Sequence, residues 1–383
     1  MDPVVNHEAE RQIPVARPYL AGRKGKFLAK CLADAWISSG QMVEQFESRF
    51  ASQNSSLPAH GIACNSGTTA LHLALVASGV KSGDRVAIPT LTMVAVANAV
   101  RYCGAVPVFI DSLLGRSAGN VDPLAMADKS SDCNAVVIPH LYGVPSLAKY
   151  ELRASGYQGT IIQDCAECHY ATYQQLNGSS TQLLDHPQDV LTFSFYANKI
   201  IATGEGGMVV TANPTQASRL RSLRAHAFTP GNHFHHQEMA FGYRMTDLQA
   251  AIGLAQIQRY RKLLRIRRQV AERYIAKLSS VPWLQIPPRP TGSVWWVFPI
   301  LVKRAHANEF TVERVRAVLA ERGIETRRYF KPLHTQPHLS EFVRPDQTFD
   351  VADDLYRRGL YLPLYVGLKN DDVDYVCEAI KSV

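Results

Sequence analysis

Between residues 61 and 163, short apolar runs alternate with stretches of helical periodicity, and this alternation constrains the fold more than any other feature. Gly61-Ile62-Ala63-Cys64, Arg85 to Pro89, Val106 to Asp111, Asn134 to Pro139 and Thr160 to Gln163 read as strands. The segments ALHLALVASG and MVAVANAVRYCG between them read as helices. Parallel neighbours need a crossover connection, and a helix is the usual one. The pattern therefore predicts an α/β chain with a parallel, doubly wound sheet. The ligand of such a sheet sits outside the C-terminal ends of its strands.

The flanks follow other patterns. Residues 26–53 read as two helical stretches broken at Ser38-Ser39-Gly40. Leu191 to Phe195 and Gly207 to Thr211 read as strands separated by a glycine-rich turn, and a long helix is predicted from about Asp247 to Leu278. The proline-rich segment from Val281 to Thr291 reads as a boundary. It separates a large domain, residues 1–280 with the N-terminal segment, from a small α+β domain, residues 281–383. In the latter a strand from Val294 to Val302, a helix from Val312 to Arg322, a strand near Ile324-Glu325-Thr326 and a helix from Asp371 to Lys381 are expected.

Several function classes lose support at once. At 383 residues the chain is too long for one simple layer, and 46% hydrophobic with 19% charged residues is ordinary for a folded protein rather than a disordered one. No apolar run is long enough to span a membrane. The polar start, MDPVVNHEAERQIPVARP, does not resemble a secretory signal, so a cytoplasmic protein is expected. The net charge of +8 has its densest cluster at Arg259 to Arg268, RYRKLLRIRR, within a helical pattern. That cluster fits a solvated helix face, a field that steers anionic substrates, or a nucleic-acid surface. Seven cysteines without an export signal are expected to be free thiols. Cys165-Ala166-Glu167-Cys168-His169 spells a haem-attachment pattern and contains a redox pattern, but both sit poorly with a protein that is not exported.

Three local features carry chemistry. Asn65-Ser66-Gly67-Thr68-Thr69 occupies a strand-to-helix turn, where a glycine admits an anion to backbone N–H groups and Ser66 and Thr68 add hydroxyls. Asp164 ends an apolar strand. Lys199 lies between Phe193-Ser194-Phe195-Tyr196-Ala197-Asn198 and Ile200-Ile201, an apolar flank that predicts burial, a lowered pKa and a nucleophilic amine. Each feature alone has an ordinary structural explanation, such as a helix cap or an ion pair. Together they meet the needs of pyridoxal 5′-phosphate (PLP). That cofactor takes a lysine for its imine, a carboxylate for its pyridine nitrogen and a helix N-terminus for its phosphate.

Phe193-Ser194-Phe195-x-x-x-Lys199, continued by Thr203-Gly204-Glu205-Gly206-Gly207-Met208-Val209-Val210, resembles the lysine signature of the DegT/DnrJ/EryC1/StrS sugar aminotransferases. Asn65 to His72, Pro139-His140-Leu141-Tyr142-Gly143 and Arg244 to Ala251 are similar to further motifs of that family, and the resemblance runs from about Ile13 to Val383. It implies an aspartate-aminotransferase-like fold, PLP fold type I, with a mostly parallel seven-stranded sheet in a large domain and a small α+β C-terminal domain. It also implies a homodimer whose active sites draw on both chains.

Carried over residue by residue, the resemblance implies that Lys199 binds PLP and shuttles protons as the catalytic residue. Asp164 would pair with the pyridine nitrogen. Ser66, Gly67, Thr68 and Ser194 would hold the phosphate, and Glu167 would lie against the ring near its hydroxyl. Two positions depart from the family. Met93 stands where many members stack an aromatic residue on the ring, and Gly242 stands where many carry an asparagine that reaches the partner subunit's phosphate site. The amino donor would be L-glutamate and the acceptor a nucleotide-linked keto-sugar. Trp36-Ile37-Ser38-Ser39-Gly40, Glu167, and Gly323 to Arg327 leading to Pro332-Leu333-His334 most resemble members that aminate C4 of GDP-4-keto-6-deoxymannose. Trp36, Ser38, Arg327 and His334 are the candidate contacts to that substrate. The alternatives are a 3- or 4-aminotransferase acting on a UDP- or dTDP-linked sugar, and a non-catalytic regulator that binds PLP or a nucleotide sugar.

Overall fold

The computed structural model describes residues 11–20, 24–113, 119–174, 178–229 and 232–383; the first residues of the polar N-terminal stretch lie outside them. Seven strands form the central sheet: β1 (His60–Cys64), β2 (Arg85–Pro89), β3 (Val106–Ile110), β4 (Ala135–Pro139), β5 (Thr160–Asp164), β6 (Val190–Ser194) and β7 (Gly207–Thr211). Their order across the sheet is β1-β7-β6-β5-β4-β2-β3. The pairs β2–β3, β2–β4, β4–β5 and β5–β6 are parallel, while β7 runs antiparallel to both β6 and β1. The sheet expected from the alternation of runs and helices is thus present, with an antiparallel edge. Strands β4 and β6 are buried at every position, as strands covered by helices on both faces must be.

The first crossover helix, Gly67–Ala77, carries almost no polar surface; Ala70 to Leu75 are all buried. It can tolerate this because sheet and neighbouring helices cover it on all sides. Beneath the end of β6, Phe50 meets Phe193 edge-on at 4.8 Å and Phe195 at 5.0 Å, and Phe46 meets Phe195 at 4.9 Å. Edge-to-face packing of this kind suits the ring quadrupole and anchors the backbone it surrounds.

A second sheet, β8 (Leu284–Gln285), β9 (Phe298–Val302), β10 (Arg327–Arg328) and β11 (Gly359–Leu362), has the order β8-β9-β11-β10 and is antiparallel throughout. Its own core combines Phe298, Ile300, Leu360 and Leu362 with Val315, Leu319, Val376 and Ile380 of the flanking helices, and with Val270, Tyr274 and Leu278.

Three expectations about elements need correction. The long helix from Asp247 to Leu278 is two helices, Asp247–Ile257 and Tyr260–Leu278. No proline or glycine marks the break. Tertiary contacts set it: the Gln256 amide exchanges hydrogen bonds with the backbone of Ala202, and Tyr260 stacks on Tyr170 at 4.2 Å. The strand expected from Val294 begins only at Phe298, because Val294 donates its N–H to Gly143 in the turn after β4. The strand near Ile324 starts at Arg327, because Ile324 and Glu325 pair with Ile13 of the N-terminal segment. Within the basic run, Arg267 turns inward, and its guanidinium donates to the carbonyls of Trp296 and Leu364.

Candidate active site

The C-terminal ends of β4, β5 and β6 lie in register, with Pro139 beside Asp164 and Asp164 beside Thr192. Over this edge opens a cavity of about 350 Å³. Ser66, Gly67, Thr68, Met93, Asp164, Glu167, Ser194, Lys199 and Arg327, all singled out in the sequence, line it together.

Ser66 starts the helix at the cavity floor. Its backbone is extended (φ −161, ψ 163), its Oγ accepts the Thr69 N–H at 3.2 Å, and Thr69 Oγ1 accepts the Ser66 N–H at 3.1 Å. This capping box satisfies two of the orphan donors of the first turn. The N–H groups of Gly67 and Thr68 head the helix, where backbone donors have no intrahelical acceptor and the helix dipole favours an anion. The floor is tight. A Cβ on Gly67 would lie 2.7 Å from Ser194 Cβ, and one on Gly207 would lie 2.1 Å from Ser66 O.

Asp164 is buried at the end of β5, and its Oδ1 accepts the Ala166 N–H at 3.0 Å. Burial pushes its pKa up, against the Ala166 N–H and the charge of Lys199. A carboxylate in this setting is stabilised by a cation placed in the cavity.

Lys199 sits in the loop after β6, its N–H donating to Tyr196 O at 2.8 Å. Its side chain is 12% exposed, and Nζ lies 3.8 Å from Glu167 Oε1 and 4.1 Å from the centroid of the Trp296 ring. Burial lowers its pKa, opposed by Glu167 and Asp164. Glu167 is pushed up to about 7 by burial, while Lys199 and the Tyr142 N–H, 2.7 Å from Oε2, hold it down. Burial thus works against the charged form of both groups, and their mutual attraction works for it. Beneath the pair, His169 accepts the Ile201 N–H on Nδ1 at 3.3 Å, so its Nε2 carries the hydrogen donated to Ser194 O at 2.9 Å. Burial holds His169 down at about 3, and the neutral ring staples both ends of the lysine loop.

These residues fit PLP on geometry alone. A buried amine, a buried carboxylate that gains from a cation, and a helix N-terminus kept open at Gly67 converge on one cavity. Three other residues from the sequence stand outside it. Trp36 is 58% exposed, and its indole N–H donates to Ser39 O at 3.0 Å. Ser38 gives its carbonyl to the Asp247 N–H at 2.8 Å. Both belong to a linker held by Asp247, whose Oδ1 accepts the N–H of Gly40 and of Val43 at 2.9 Å. His334 contacts Thr90 Oγ1 at 2.7 Å and Asp353 at 3.2 Å, and stacks on Phe349 at 4.5 Å.

Sequence reasoning passed over the opposite wall. Trp296, Phe330 and Tyr361 of the C-terminal region face the sheet edge across the cavity. The doubled tryptophan, Trp295-Trp296, after a proline-rich segment was the available signal. Cys165 and Cys168 are fully buried thiols pushed up by that burial, an environment unlike that of a reactive or haem-linked cysteine. Among the described residues no helix is long and apolar enough to cross a membrane.

Comparison with known proteins agrees with this geometry. Residues 20–381 match the family model described as the DegT/DnrJ/EryC1/StrS aminotransferase family. The chain is 35% identical over 374 residues to GDP-perosamine synthase of Escherichia coli O157:H7, covering 97% of this chain and 98% of that protein. It is 36% identical over 378 residues to GDP-perosamine synthase of Caulobacter vibrioides, again covering 97% and 98%. Among solved structures, the aminotransferase TlmJ from Streptoalloteichus hindustanus superposes with a TM-score of 0.84 at 27% identity, over 97% of this chain and 98% of that one.

Proposed function

This chain belongs to the DegT/DnrJ/EryC1/StrS family, and as a PLP-dependent sugar aminotransferase of fold type I it is, we propose, the enzyme that moves an amino group from L-glutamate to C4 of GDP-4-keto-6-deoxymannose. The observation that carries the reading is the placement of Lys199 Nζ, 3.8 Å from Glu167, in the cavity that Asp164 and the capped helix at Ser66 also line. The choice of sugar is supported by near full-length similarity to GDP-perosamine synthases.

In this proposal Gly67, Thr68 and Ser66 would hold the cofactor phosphate at the helix N-terminus with Ser194, and Met93 would pack against the ring. Asp164 would pair with the ring nitrogen and Glu167 would lie near the ring hydroxyl. When bound, PLP supplies an electron sink for the bond-breaking step at the amino carbon. Lys199, with its pKa lowered by burial, would take a proton at Nζ from the amino carbon of the donor and pass it to the cofactor instead of back to the donor. Glu167 steadies the ammonium that results. The aromatic wall of Trp296, Phe330 and Tyr361 keeps water from the reacting atoms, and the Arg327 guanidinium meets an anionic substrate group. Trp36 and Ser38 would serve the partner subunit's cavity in a homodimer with shared sites. Their surface exposure, with Met93 at 49% and Tyr196 at 48%, supports such a partner. His334 acts at one remove, by holding its loop. The proposed setting is the cytoplasm.

The test is incubation with glutamate and GDP-, UDP- and dTDP-linked keto-sugars, with product mass as the readout. Amination of the GDP-linked 4-keto sugar is expected. Turnover confined to a UDP- or dTDP-linked sugar overturns the substrate. Activity in Lys199→Ala, or survival there of the visible absorbance of bound cofactor, overturns the site.

A further inference from the structure

We propose that Tyr142 is a positioning residue for proton transfer, holding the Glu167–Lys199 pair in place through one strained turn that the small-domain wall of the cavity clamps. The proposal rests on Lys199 and Glu167 being the reactive pair.

Tyr142 follows β4 at the cavity edge, fully buried, with φ 52 and ψ 25. A bulky residue in this left-handed region is an outlier, and such strain persists only where the surroundings over-determine it. A glycine would hold the same backbone without strain, so the tyrosine side chain must contribute something a glycine cannot. All its polar groups are engaged. Its N–H donates to Glu167 Oε2 at 2.7 Å, its carbonyl accepts from Arg289 Nη2 at 2.8 Å, and its hydroxyl accepts the Phe330 N–H at 3.1 Å. On the other side, the Leu141 N–H donates to Asn120 Oδ1 at 2.8 Å and pins the start of the turn.

Two routes lead from this ring to the lysine. One is the backbone N–H on Glu167, whose other oxygen faces Lys199 Nζ. The second is the ring itself. It lies parallel to Trp296, 4° between planes and 6.5 Å between centroids, and Trp296 presents its face to Nζ at 4.1 Å. The ring also lies within 9° of Phe330, 5.7 Å away. Arg289, Trp296 and Phe330 all come from beyond residue 281, whereas Glu167 and Lys199 come from the turns that follow β5 and β6 of the large sheet. The turn at Tyr142 is thus where the two halves of the cavity wall are tied to each other. If the tie loosens, the carboxylate beside Lys199 and the aromatic face over it shift together.

Tyr142→Phe removes one oxygen and keeps the ring stack, which isolates the tie. In the PLP-loaded enzyme, the visible absorbance is followed against pH, together with kcat and KM, in Tyr142→Phe, Glu167→Gln and the double variant. A fixed carboxylate beside the lysine nitrogen favours its protonated form, so loosening it lowers the spectral midpoint, by about 0.5–1 unit. A roughly tenfold fall in kcat with a smaller change in KM is expected alongside. Neither change should appear when Tyr142→Phe is added to Glu167→Gln. An unshifted midpoint in Tyr142→Phe, even with lower thermal stability, overturns the proposal, as does an equal shift in the Glu167→Gln background. Lys199→Ala keeps the two failures apart. A visible band that survives there sinks the site assignment; a band lost there, with Tyr142→Phe titrating as wild type, sinks only the role of Tyr142.

Discussion

Gly67 and Ser194 approach so closely that a Cβ on residue 67 would sit 2.7 Å from the serine Cβ. The two belong to different turns, one opening a helix and the other closing β6, and together they make the floor of the cavity. Overpacking a tight contact costs about 1–3 kcal/mol. Gly67→Ala should therefore weaken PLP binding about 10- to 100-fold with the fold retained. Cofactor titration followed by absorbance measures this, and wild-type affinity would show that the floor can yield.

The Glu167 carboxyl gives a pH signature in the cofactor-free protein. Its ordinary value of 4.5 rises to about 7 on folding. Between those values the folded protein keeps a proton that the unfolded chain has released. The stability this group contributes is complete below 4.5 and is lost as pH rises through 7. Glu167→Gln abolishes that slope, so the stability of the variant minus that of wild type should grow from pH 5 to pH 7. His140 and His169, both pushed down to about 3 by burial, act in the opposite sense but equally in both proteins. Urea unfolding across this range decides the point; a flat difference contradicts it.

Asp164→Asn keeps the size and the Ala166 hydrogen bond while removing the charge that faces the cavity. Loss of a preorganised electrostatic partner in a buried site should lower turnover about 100-fold or more. Turnover within a few-fold of wild type would remove Asp164 from the site.

His334 is fully occupied inside the chain by Thr90, Asp353 and the Phe349 ring. His334→Ala should cost about 1–3 kcal/mol of unfolding free energy by removing the ring stacked on Phe349 and its hydrogen bond to the buried Thr90 hydroxyl. Because the whole loop moves, KM for both substrates should change together. Unchanged stability with a KM effect on the sugar nucleotide alone would instead place His334 on the substrate.

Local chemistry was legible where one segment carried its own reason. The apolar flank of Lys199 announced its burial, since a lysine among Phe195, Ile200 and Ile201 has no local route to solvent. Ser66 declared a helix start, and the strand endings at Pro139, Asp164 and Phe195 declared one edge of one sheet. The break between Ile257 and Tyr260 was not legible, because neither residue type nor spacing distinguishes it from helix interior. Its cause lies at Ala202 and Tyr170, far away in the chain.

By itself the sequence determined which residues could meet an anion, a cation and an amine, because capping, charge and burial preference are properties of short segments. Only the tertiary structure decided which of them share a cavity: Arg327 enters it, while Trp36, Ser38 and His334 do not within one chain. It alone also brought Tyr142 and Trp296 around the lysine. Residues so distant in the chain meet by the packing of whole elements, and no periodicity in either segment encodes the other's position.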